Sequence, residues 1–157
     1  ASFTRNLAKK NLYLNSGGGQ VSEALKIGEF IRKNGFATHL PKESLCASAC
    51  VIVFAGGAIR TADQTSKIIV HVGSGILNET MLANFEAAIY EYGAVGASVI
   101  ASMFEQLATQ VTLEQVIYFL KSGISLELLE LTFNVHHLDS YELTYNEAIK
   151  FNLINLY

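Results

Sequence analysis

The chain has 157 residues, half of them hydrophobic, with 11 basic and 14 acidic side chains for a formal charge of -3. That length suits one domain with a substantial core, and mild acidity without a long basic run argues against nucleic acid as a partner. Mean hydropathy is +0.30, yet the longest uncharged stretches, Leu45 to Ile59 and Tyr92 to Phe104, fall short of a bilayer, so a soluble protein with no stable membrane span is expected.

No basic segment followed by an apolar one opens the sequence, so a secretion signal is expected to be absent or already removed. Asn11 to Asn15 reads as a short strand, broken by Ser16-Gly17-Gly18-Gly19. Val21, Ala24, Leu25, Gly28 and Ile31 then recur at helical spacing until Asn34-Gly35. A glycine turn at a helix start leaves backbone N–H groups free for an anion, either a phosphate or a developing oxyanion. The triple glycine fits neither the dinucleotide nor the Walker pattern. Phe36 to Leu40 is a second strand, parallel to the first if the helix is a crossover, and Pro41 ends it.

Cys46-Ala47-Ser48-Ala49-Cys50 follows. Small neighbours suit a serine nucleophile on a tight turn, with the next amide free to face an oxyanion. Taken alone, such a serine is an ordinary packed residue. The two cysteines are close enough to be bridged, and a disulfide or two buried thiols both remain open. Val51 to Ala55 has the β-branched composition of a strand, whereas Gly56-Gly57 would close either a strand or a short helix. Lys67 to Val72 reads as a strand, with His71 near its end beside Gly73-Ser74-Gly75.

From Asn78 the pattern turns helical, as two helices or one bent helix around Gly93 and Gly96. Thr112 with Gln115 is a capping box that predicts a fresh helix to about Lys121, and a short helix is expected from Ser125 through Leu131. Thr144 with Glu147 starts a terminal helix. Asn78-Glu79-Thr80 fits the glycosylation pattern. His136-His137 point to opposite faces of an extended segment without a supporting carboxylate or thiol cluster, so no metal site is expected.

In order along the chain, Asn15-Ser16-Gly17-Gly18-Gly19, the serine motif around Ser48 and Ile69-Val70-His71 resemble the Clp protease proteolytic subunit of the ClpP/crotonase superfamily. The match is fullest over residues 11 to 75. Gly17 stands where the family's Asn-Ser-Pro-Gly-Gly turn has proline, and Val72-Gly73 replaces its Gln-Pro after the histidine. The resemblance implies an α/β fold, a ClpP/crotonase-like spiral of β-β-α units with a C-terminal helical part. It also makes Val51 to Ala55 a helix. Residues 1-157 are read as a single Clp-like domain, lacking a strand and helix that the family carries before the glycine turn. Cysteines flanking the serine resemble a secreted or periplasmic Clp-like branch, with a cytoplasmic location as the alternative.

The resemblance further implies that Ser48 attacks a carbonyl, that His71 shuttles its proton, and that Asp139 fixes the imidazole tautomer. Leu143-Thr144-Tyr145-Asn146-Glu147-Ala148 resembles the family segment just beyond the triad acid. That alignment puts Ser140 at the acid position, with Asp139 one residue away and Asp63 a weaker candidate. The amides of Gly18 and Ala49 would hold the oxyanion. The implied activity is a cofactor-free serine peptidase acting on peptide or unfolded protein as a homo-oligomer. An inactive scaffold that binds peptide or a partner protein, or a crotonase-type acyl-CoA enzyme, would be alternatives.

Overall fold

The computed structural model describes residues 10–72, 79–136 and 138–157. The Gly73-Ser74-Gly75 loop, the glycosylation pattern at Asn78 and His137 therefore lie outside the described residues. Compact packing divides the chain into two units, Ala1–Gly73 with Gln115–Tyr157, and Ser74–Glu114.

In the first unit, β1 (Asn11–Tyr13), α1 (Val21–Lys33) and β2 (Ala37–Leu40) form a parallel crossover. The buried stripe of α1, Ala24, Leu25, Gly28 and Ile31, is the one the helical spacing picks out. Beyond β2 come β3 (Leu45–Ala47), α2 (Ala49–Ala55), β4 (Ile59–Ala62) and β5 (Lys67–Val70). These strands alternate between two sheets: β4 pairs in parallel with β2, and β5 in parallel with β3. The alternation is the β-β-α spiral in its simplest form. Sequence reading misses β3 and β4, whose Leu45-Cys46-Ala47 and Ile59-Arg60-Thr61-Ala62 lack the apolar run that marks β5.

Val51 to Ala55 is helical despite its β-branched residues. Almost all of α2 is buried, including Phe54 and Ala55, and burial on every side decides the conformation over local propensity. Gly28 of α1 meets α2 closely: a Cβ there would fall 2.2 Å from the Tyr118 hydroxyl and 3.1 Å from the Ile52 carbonyl oxygen. The same hydroxyl donates to the Ile52 oxygen at 2.8 Å.

α3 (Glu79–Lys121) is interrupted at Gly93, whose φ of 58° and ψ of -140° are non-helical, as the bent-helix expectation has it. The expected new start at Thr112 does not occur. Residues 107–111 contain no Gly or Pro to break the ladder, and Leu107, Ala108 and Gln110 favour it; without a preceding break Thr112 has no free amide to cap. Leu82–Lys121 is also long and apolar enough to cross a membrane by length and composition.

α4 (Leu126–Asn134) starts at Ser125, whose side chain accepts from the Glu127 N–H. β6 (Tyr141–Leu143) pairs antiparallel with β5, and α5 (Tyr145–Lys150) carries the predicted capping box of Thr144 and Glu147. The Thr144 N–H and hydroxyl, with the Tyr141 hydroxyl, hold the Glu147 carboxyl below its ordinary pKa.

One buried cation ties these elements together. Arg60 on β4 is 2% exposed and donates to the carbonyl oxygens of Leu153, Gly57, Ser122 and Asn152. Those carbonyls lie at or just past the C-terminal ends of α2, α3 and α5, where helix dipoles favour positive charge. Burial, and then the neighbouring Arg32 charge, push its pKa down to about 10.

Candidate active site

The site is assembled on β3 and the first turn of α2. Asn15 and Ser16 sew the glycine turn onto β3: Asn15 Oδ1 accepts from the Leu45 N–H at 2.9 Å, Ser16 N–H donates to the Leu45 carbonyl at 2.7 Å, and Ala47 N–H returns to the Ser16 carbonyl at 3.0 Å. This isolated parallel bridge explains why the turn begins with two short polar residues.

Ser48 sits where β3 gives way to α2, with φ 55° and ψ -123°. A serine in this region is strained, and its backbone is held by a 2.9 Å hydrogen bond from its N–H to the Ile69 carbonyl. Gly18, at φ 112°, packs directly against the bend. A Cβ on Gly18 would lie 2.9 Å from both the Ala47 oxygen and the Ser48 Cβ, and 3.3 Å from the Ala49 nitrogen. Glycine is therefore required here by contact as well as by conformation. Ala49 opens α2, so its N–H lacks a helical acceptor. The Gly18 N–H makes only a long bond, 3.2 Å, to Ser16 Oγ. Both candidate oxyanion amides thus flank the serine.

Cys46 and Cys50 form a disulfide across Ser48, with Cα atoms 5.2 Å apart. It resolves the choice between bridged and free thiols and closes a short covalent loop around the bend. Both cysteines are buried.

His71 comes from the neighbouring strand. The β3–β5 register sets Ala47 opposite Ile69, which carries Ser48 and His71 toward the same end of the sheet. Both half-buried side chains line one cavity of about 20 Å³ with Val21, Ile52, Phe119 and Leu128. The His71 Nδ1 lies 2.8 Å from the Val72 carbonyl oxygen. A carbonyl can only accept, so Nδ1 carries a proton, and in the neutral form of the ring this leaves Nε2 its lone pair.

Asp139 makes no hydrogen bond to this pair among the described residues. The β5–β6 pairing ends at Val70 opposite Tyr141, and the preceding Ser140 and Asp139 are exposed. The Asp139 N–H bonds to the His136 carbonyl at 2.8 Å. Its segment nevertheless runs close by, since Val72 N–H donates to the Val135 carbonyl at 3.1 Å. Asp63 is occupied elsewhere, accepting from the Thr65 N–H and hydroxyl, which lower its pKa. No group of three or more His, Cys, Asp or Glu that could hold a metal occurs among the described residues.

No protein-family model matches the chain, and no curated protein does. Among solved structures, a ClpP1 mutant from Listeria monocytogenes aligns over 92% of this chain and 70% of its own, with a TM-score of 0.51 and 18% identity. The fold is ClpP-like. Within this ClpP-like fold the serine bend, the glycine turn and the histidine strand occupy one end of the β3–β5 pair. Sequence reasoning missed two groups beside Ser48 and His71: the Val72 carbonyl, which His71 Nδ1 meets, and Gln115. A backbone oxygen leaves no residue-type signal. Gln115, at the cavity wall, was masked by its fit to a helix-capping pattern.

Proposed function

We propose that the chain is a Clp-like serine peptidase. Ser48 Oγ is the nucleophile, His71 Nε2 the general base and then general acid, and the amides of Ala49 and Gly18 the oxyanion donors. The observation that carries this reading is the Ser48 bend: a non-glycine residue at positive φ, pressed against a glycine turn and sharing a cavity with a histidine of defined tautomer. In the first step the Ser48 proton passes to His71 as oxygen attacks the peptide carbonyl, and the imidazolium then protonates the leaving amine. Water repeats the sequence to release the acyl group. No cofactor is required.

The Val72 carbonyl supplies the orientation that an acid supplies in a triad, and it stabilises the imidazolium as a dipole rather than a full charge. Asp139 belongs to an alternative arrangement in which Nδ1 exchanges that carbonyl for a carboxylate. A second reading, an inactive scaffold that binds peptide or a partner protein in the same groove, draws support from the lack of an Asp139–His71 hydrogen bond among the described residues. A homo-oligomer fits the exposed apolar side chains of α3, among them Tyr92, Val95, Val99 and Met103, since such a face is stable only when covered. The disulfide favours a periplasmic or secreted location over the cytoplasm.

Labelling with a fluorophosphonate tests the reading. Wild-type protein is expected to be labelled and Ser48→Ala not, with unchanged melting temperature. Folded wild-type protein that resists labelling at every pH would overturn it in favour of the scaffold.

A further inference from the structure

The cavity beside Ser48 has apolar walls and one polar group unaccounted for. Gln115 is 9% exposed and lines the same cavity as Ser48 and His71. Its amide has no hydrogen-bond partner among the described residues. The other non-catalytic polar side chain there, Thr132, is satisfied, its hydroxyl donating to the Leu128 carbonyl at 2.7 Å. An amide on a cavity wall that makes no bond within the protein can exchange water for a ligand. Placed beside a nucleophile, it fits a group awaiting a ligand.

We infer that Gln115 is a specificity-determining residue that reads one substrate side chain, selecting a short uncharged polar residue, with threonine the best fit. The inference rests on the proposed peptide-binding role of this cavity. Three features define the class. A carboxamide both donates and accepts without charge, so it matches a hydroxyl or amide better than an ion, whose desolvation it could not offset. The cavity, about 20 Å³ in volume, is too small for aromatic and long side chains. The remaining walls, Val21, Val51, Ile52 and Phe119, suit a methyl group beside the hydroxyl. Threonine presents both, whereas its isostere valine would leave the Gln115 amide unpaired.

The test uses fluoresceinyl-Ala-Ala-X-Ala-amide peptides, labelled at the N-terminus, with X as Thr, Ser, Asn, Val, Leu, Phe or Lys, bound to Ser48→Ala protein and read by anisotropy. This form binds under either the peptidase or the scaffold reading. Threonine is expected to bind at least about tenfold tighter than valine. Adding Gln115→Met, or Gln115→Leu if the first does not fold, should erase that ratio or invert it. Equal binding of Thr and Val peptides, a Thr preference that survives both substitutions, or binding of no peptide in the set would overturn the inference. Hydrolysis of the same peptides by the Ser48 form is scored separately. Cleavage without Thr preference removes the role of Gln115 and keeps the peptidase, while Thr-selective binding without cleavage keeps Gln115 and removes the peptidase.

Discussion

Two histidines, one within β2 of the first sheet and one just beyond β5 of the second, are held in opposite ways. His39 on β2 has both ring nitrogens engaged, Nδ1 with Thr61 Oγ1 at 2.7 Å and Nε2 with Asn11 Oδ1 at 3.0 Å, and Tyr13 packs on its ring. His71 is fixed at Nδ1 alone and turns its other nitrogen toward no partner among the described residues. The difference separates an imidazole that stitches strands from one free to move a proton. Strand position says little about function, and the number of occupied nitrogens says much.

The largest effect should come from removing the reacting pair. Ser48→Ala or His71→Ala is expected to lower peptide hydrolysis by about a thousandfold or more, while His39→Ala changes it less than about twofold and costs about 1–2 kcal/mol in urea unfolding. Equal losses of activity at both histidines would erase the contrast. Next is Arg60→Met, which orphans several carbonyls at once and should lower unfolding free energy by about 3–5 kcal/mol, measured by chemical denaturation. If stability barely moved, buried polar groups here would be decoration rather than structure.

Gly18→Ala should follow, reducing kcat by about a hundredfold through its collision with the Ser48 bend, with a smaller change in melting temperature. Unaltered kcat would detach the glycine turn from the chemistry. The smallest effect concerns acid. Because the Glu147 carboxyl is held below the ordinary glutamate value of 4.5, its contribution to stability is present above that pH and fades as pH falls through its folded pKa. Glu147→Gln should flatten the acid limb of the stability profile while leaving neutral-pH activity alone, which a urea series at several pH values would show.

Much of the fold was legible because its signals are local. The stripe of α1 and the Thr144–Glu147 box depend on side chains within a turn or two of each other. The strands β3, β4 and β6 were not, since each is defined by a partner far away in sequence, as Tyr141 is by Val70. Composition even misleads at Val51 to Ala55, where only the resemblance, and then burial, make a helix. For the site, Ser48 and His71 stood out through motif order, and the structure sets both on one cavity. The tautomer of His71 did not, because a main-chain oxygen sets it, and Gln115 did not, because its role depends on a fold that turns a helix position into a wall.

Arg60 also has a consequence for how the molecule is made. Its guanidinium contacts at Asn152 and Leu153, with Asn155 Oδ1 accepting from its backbone N–H at 2.7 Å, span more than ninety positions. Such long-range closure slows folding. Until residues 152–155 emerge from the ribosome, a nascent chain carries the Arg60 guanidinium without its Asn152 and Leu153 carbonyl partners, making that interval the one in which chaperones or proteases compete for it.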